Sequence, residues 1–243
     1  MRAALIGASA LACQIASYRR TTNDLDLVIA TDVKEAGRLA AVDGWRPLPQ
    51  AGEQAWQSPD GIRVDVIPAG KRLLAESVIR WPRSGMEMSL VGLRLAFDAS
   101  YPLDVGKGVS VLLASVPTIA ILKVIAFLDS PERREKDLED LAFLLEEYLG
   151  DQDRRFELIG TVPGLDYENA SAFALGLDAG QLVNTVERAL VARFIAEAKA
   201  EDSRINALLL RLGSPLWRAD DDCLPKRLAT FDHGFLHRSK LKQ

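Results

Sequence analysis

Arg20-Thr21-Thr22-Asn23-Asp24-Leu25-Asp26-Leu27-Val28-Ile29 decides how the chain is read. Side chains alternate faces along a β-strand, so Asp24 and Asp26 fall on one face while Leu25, Leu27 and Ile29 point the other way into a core. Two carboxylates on one face repel, and keeping both ionised calls for a divalent cation or a basic neighbour. A third candidate stands in Ile62-Arg63-Val64-Asp65-Val66-Ile67, an apolar strand interrupted by Asp65. Three carboxylates on adjacent strands make a hard, oxygen-rich site suited to Mg²⁺ and a nucleoside triphosphate. The competing reading makes Asp24 a strand-end residue and Asp26 a solvated edge residue, with Asp65 paired to Arg63 or Arg94.

Upstream, Ala3 to Gly7 reads as a buried strand closed by glycine, and Ala8 to Ala16 as a small-residue helix. A strand, a glycine turn and a helix start present unpaired backbone N–H groups to an anion, and Ser9 adds a hydroxyl. Arg20 can neutralise the acidic cluster or meet a phosphate, and Thr22 can fix the loop through its own backbone.

In four ordered pieces the chain resembles the polymerase-β-type nucleotidyltransferase superfamily, and within it the AbiEii-like toxins of type IV toxin–antitoxin systems. The pieces are Leu5-Ile6-Gly7-Ala8-Ser9-Ala10, Arg20-x-Thr22-x-Asp24-x-Asp26-Leu27, the lone Asp65, and helical Lys123 followed by Lys136-Asp137-x-x-Asp140-Leu141. The resemblance implies that Asp24, Asp26 and Asp65 ligate Mg²⁺, with Asp65 also the base for the attacking hydroxyl. It implies that Gly7, Ala8 and Ser9 hold phosphates with Arg20 and Thr22 beside them, and that Lys123 reaches the triphosphate. The activity implied is transfer of a nucleoside monophosphate from an NTP to a hydroxyl of RNA or protein, with a cognate antitoxin as partner. The chain departs from the superfamily pattern at Ala8, where serine is usual, and in a first strand that starts without the helix relatives carry before it. Two alternatives stay open, an aminoglycoside-type small-molecule nucleotidyltransferase and a non-catalytic binding protein of the same fold.

The 243 residues are 48% apolar and 26% charged, with 30 basic against 34 acidic side chains. That supports a good core and carries no overall nucleic-acid footprint. Cys13 and Cys223 suggest neither disulfide nor metal framework. No apolar run approaches the roughly 18 residues of a membrane span, so a cytoplasmic protein without membrane contact is expected.

The expected fold class is α/β of the α+β type. Residues 1–115 form a mixed-sheet nucleotidyltransferase-like domain, and residues 116–243 a helical domain with a fraying basic tail over Pro225 to Gln243. Asp32 caps a helix to Ala41, and Trp45 to Leu48 is a short strand. Gln54 to Ser58 and Ile62 to Ile67 flank the turn Pro59-Asp60-Gly61 as a hairpin. Lys71 to Ile79 reads as helix, Met86 to Phe97 and Val109 to Leu113 as strands, and Asp98 to Gly108 as turns. Helices follow from Val116, at Glu132 to Leu149, Asp151 to Ile159, Tyr167 to Leu175, Gln181 to Ala200 and Ser203 to Leu212. Lys123 interrupts an apolar helix face, whereas Lys136, Asp137 and Asp140 read as a solvated, ion-paired face. His233 and His237 lack a zinc-site pattern, and Asp220 to Asp222 read as a solvated loop.

Overall fold

In the computed structural model, which describes residues 2–150, 153–200 and 202–237, the chain divides into two units, Met1–Ile119 and Ala120–Gln243. The expected mixed α/β class holds, with helix dominating the second unit.

The first unit is built on a seven-stranded mixed sheet. Its strands are β1 (Ala3–Ile6), β2 (Asp24–Ile29), β3 (Arg46–Pro47), β4 (Ala55–Gln57), β5 (Arg63–Pro68), β8 (Ser100–Asp104) and β9 (Ser110–Ala114), and they lie in the order β3-β4-β5-β2-β1-β9-β8. β2 runs antiparallel to β1 and parallel to β5. Burial alternates along β5, with Val64, Val66 and Pro68 buried and Arg63, Asp65 and Ile67 half-buried. Val64 and Val66 join Ile29 and Trp56 in one core cluster, with Leu25 and Leu27 against it. Burying one such aliphatic side chain contributes about 1.5–3 kcal/mol. This apolar face is roofed by α2 (Val33–Ala36) and the 3-10 turn Gly37–Ala41, through Ala36 and Leu39. Asp32 caps α2, accepting the Glu35 N–H at 2.8 Å. The acidic residues are thereby left to the other face, where α1 (Gly7–Ala12) packs on β1 and β2.

Several expected elements are corrected. The helix from Ala8 stops at Ala12, and that from Lys71 is α3 (Lys71–Glu76), followed by β6 (Val78–Arg80). This strand pairs with β7 (Glu87–Ser89), all that forms of the long strand expected over Met86 to Phe97, whose end is instead α4 (Leu95–Asp98). The turn-rich stretch after Asp98 contains β8, which carries Pro102 at the outer edge of the sheet. Proline is tolerated there because an edge strand leaves one row of N–H groups unpaired.

The unit boundary falls in α5 (Val116–Asp129). The second unit continues with α6 (Glu135–Glu147), α7 (Asp153–Thr161), α8 (Ala170–Leu182), α9 (Thr185–Lys199), α10 (Arg204–Leu212), α11 (Pro215–Ala219) and α12 (Cys223–Leu236). A full capping box starts α9, Asn184 and Glu187 satisfying each other's end groups. Arg154 on α7 grips Asp178 on α8 with two hydrogen bonds of 2.6 Å, and the Tyr148 hydroxyl donates to the same carboxylate. The start of the helix expected from Asp151 lies outside the described residues. So do Arg238, Lys240 and Lys242 of the expected tail.

The rest of that tail is corrected from frayed to packed. Leu224, Leu228, Phe231 and Phe235 form a buried stripe on α12, and α12 packs against α8. The approach is close because the facing residues are glycines. A Cβ at Gly234 would collide with the carbonyl oxygen of Phe173, and one at Gly176 with that of Phe231. Gly234→Ala therefore sets helix propensity, which favours alanine by about 1 kcal/mol, against overpacking that costs about 1–3 kcal/mol. We expect overpacking to win, lowering the melting temperature by several degrees in calorimetry.

A candidate carboxylate site on the sheet

The site lies where β1 ends and β2 and β5 begin. Register places Asp26 beside Asp65 and Asp24 beside Arg63 on the parallel pair, and Ile6 across from Asp26. Paired residues of neighbouring strands share a face, so Asp24, Asp26, Asp65 and Arg63 all project from one side of the sheet. The three carboxylates singled out in the sequence are thus brought together, across a long gap in the chain, by two adjacent strands.

Each is held differently. Thr22 donates its hydroxyl to Asp24 Oδ1 at 2.6 Å, so it orients a candidate ligand and is not the backbone-bonded loop residue expected. Gly7 has φ +71°, and a Cβ there would overlap Asp26 Oδ2 and stand 3.1 Å from Cγ. Glycine is required twice over at this position, for the left-handed backbone and for the nearness of the carboxylate. Asp65 receives both arms of Arg63, Nε to Oδ1 at 2.9 Å and Nη2 to Oδ2 at 2.7 Å. Hydrogen bonding to Asp65 holds the Arg63 guanidinium above its ordinary value, against an opposing effect of burial. The negative charges of Asp65, Asp24 and Asp26 add to that rise. Of the two arginines that could pair Asp65, the structure selects Arg63, while Arg94 faces Asp98 at 3.3 Å.

Around this face, Ala8 is buried in the first turn of α1. Ser9 is also buried and donates its hydroxyl to the Asp24 carbonyl at 2.8 Å. Its proton thereby ties α1 to the first residue of β2. Arg20 donates from Nε to the Tyr18 hydroxyl at 3.0 Å, which anchors the loop entering β2.

Lys123 belongs to the second unit. Its ammonium lies 2.9 Å from Asp137 Oδ1 and 2.5 Å from Asp140 Oδ2, and all three residues are buried. The solvated face expected for Asp137 and Asp140 is therefore corrected to a buried ion cluster. The spacing held a signal: Asp137 stands four residues before Leu141 and Asp140 four before Leu144, which puts both acids in the leucine stripe. His233 and His237 pack edge-on against Phe173.

The donors on this face are all oxygen, the chemistry a hard cation takes. Asp24 and Asp26 offer carboxylate oxygens on one face, as Mg²⁺ requires. Asp65 keeps lone-pair capacity on both oxygens beyond the two bonds from Arg63. Among the described residues, no group of three His, Cys, Asp or Glu side chains is gathered as a ready-made cation cage. The donor types thus suit a hard cation, while Asp65 is engaged by the Arg63 fork. Sequence reasoning treated Arg63 only as one of two possible partners for Asp65. Its spacing of two from Asp65, hence the same strand face, was the available signal for a member of the site.

A concavity of about 590 Å³ opens on the opposite, apolar face, over Trp56 and Val66 beside Trp81 and Arg83. It shares no lining residue with the carboxylates. No helix among the described residues is long and apolar enough to cross a membrane. No protein-family model matches the chain, and no curated protein matches it.

Proposed function

We propose that the first unit is the catalytic part of a metal-dependent nucleotidyltransferase of the polymerase-β type. It would transfer a nucleoside monophosphate from an NTP to a hydroxyl of RNA or protein, as an AbiEii-like toxin restrained by a cognate antitoxin. The observation that carries this reading is the register of β2 and β5, with Asp24, Asp26 and Asp65 on one face against the Gly7 turn.

Mg²⁺ held by Asp24, Asp26 and Asp65 would supply charge neutralisation at the reacting phosphate and at the acceptor oxygen. The chain's own residues do the remaining work. Thr22 fixes the Asp24 carboxylate through its 2.6 Å bond, so that ligand arrives already oriented. Gly7 lets backbone pass close to Asp26, and the amides of Gly7, Ala8 and Ser9 open α1 beside it, where a phosphate oxygen can accept from them. Asp65 takes the proton of the acceptor hydroxyl. The acceptor oxygen then bonds to the α-phosphorus while the bond to the β-phosphate bridging oxygen breaks, releasing pyrophosphate. Arg20, fixed by Tyr18, places positive charge at the loop leading into the acidic strand.

Incubating the protein with α-labelled NTPs and total RNA or cell lysate tests the assignment. Label should pass to RNA or protein with the wild type and be lost with Asp65→Ala. Equal labelling by both would remove Asp65 from the reaction.

A further inference from the structure

We infer that Arg63 is a resident counter-cation of the carboxylate face, holding Asp65 until a divalent cation displaces the guanidinium, and so raises the cation concentration at which the site fills. The inference rests on the reading of Asp24, Asp26 and Asp65 as a cation site.

Three acidic groups on neighbouring strands repel one another, and a fold that brings them together without metal needs a positive charge among them. Arg63 is built into that position. It stands two residues before Asp65 on β5, on the same face and beside Asp24 in the neighbouring strand. Its fork matches the carboxylate with two bonds of 2.9 and 2.7 Å, the strongest geometry available to this pair. The charges of Asp24 and Asp26 act on it as well. Even with Arg20 at the loop entering β2, two guanidinium groups do not balance three carboxylates, so the face stays net negative and still attracts a divalent ion.

The pair is also arranged to open. The Asp65 side chain is 13% exposed, whereas that of Arg63 is 38% exposed. Asp65 is therefore fixed at the sheet, while the long arginine side chain has a solvent route and can leave by changing rotamer, with the strands unmoved. Opposite on β4, the register partner of Arg63 is Gln57, a neutral residue that puts no second acid there to hold the guanidinium. Release gives Asp65 back as ligand and leaves a cation at the rim of a site meant for a triphosphate. Arg63 thus lowers cation affinity in the empty site and keeps its positive charge nearby once the site is filled.

Loss of the free Mn²⁺ signal in electron paramagnetic resonance, read on the full chain without nucleotide, tests this apart from activity. Arg63→Gln should bind Mn²⁺ about tenfold more tightly than wild type, since a bidentate charged bond no longer competes. Adding Asp65→Asn to that variant should cancel the gain. Circular dichroism checks that each variant folds. If Arg63→Gln does not fold, Arg63→Lys carries the test, keeping the charge, giving up the fork and gaining a few-fold. Wild-type binding that neither variant tightens would overturn the role of Arg63 and leave the cation site standing. Absence of Mn²⁺ binding in wild type and variants alike would overturn the cation site, and the role of Arg63 with it.

Discussion

Asp26→Asn will reduce nucleotidyl transfer by about a thousandfold or more, because the reaction depends on charge placed before the substrate arrives. Asp26 is the central acid of the three. It is paired in register with Asp65 on one side and Ile6 on the other, and it lies against Gly7. The amide keeps the shape of the side chain and its fit to Gly7 but gives up the negative charge a hard cation needs. The fold should tolerate the change, since the amide is nearly isosteric with the carboxylate it replaces. The expected signature is thus a collapse of label transfer in a variant that still melts cooperatively. Rate assays at saturating NTP, paired with calorimetry, would show it. Transfer within tenfold of wild type would mean that Asp26 does not carry the chemistry.

Lys123→Met is expected to act on stability, destabilising the second unit by about 3–5 kcal/mol. Lys123 is 6% exposed, Asp137 9% and Asp140 1%, and one ammonium serves both carboxylates. Methionine fills similar volume but leaves two acids in the interior without the ammonium that joins them. Asp137 Oδ2 already has no hydrogen-bond partner, and the Arg134 guanidinium stands 3.9 Å from it. Breaking such a cluster at its shared cation costs much more than an exposed pair is worth. A fall of roughly 10 °C or more in the melting temperature is expected. Were Lys123 chiefly a triphosphate contact, the variant would instead weaken NTP binding at nearly unchanged stability. The two readings therefore separate in one pair of measurements, a melt and a nucleotide titration.

The acidic face was legible where the signal is local. Alternation from Asp24 to Ile29 puts the acids and the leucines on opposite sides, and Pro59-Asp60-Gly61 marks the turn between β4 and β5. The parallel pairing of β2 with β5 was not legible in the same way, because register between distant strands is set by packing. Here it is the cluster of Val64, Val66, Ile29 and Trp56 under α2 that sets it. Pro102 and the flanking glycines masked β8, since proline argues against a strand everywhere except at an edge. Between Leu90 and Phe97 the apolar residues suit either period, and the structure makes α4 from its end. At the far end, basic side chains drew attention from Leu224, Leu228, Phe231 and Phe235, whose spacing of four, three and four residues is a helical core stripe. Lys123 stood out as unusual, but its partners lie in the next helix and only the fold brings them together.

The account turns on a divalent cation bound by Asp24, Asp26 and Asp65 together. Anomalous diffraction from crystals of the full chain grown with Mn²⁺ and a non-hydrolysable NTP tests that directly. An anomalous peak within coordination distance of all three carboxylates, with Arg63 turned away from Asp65, is the predicted result. Ordered carboxylates with no peak among them, or a peak elsewhere and the Arg63–Asp65 fork intact, would contradict it.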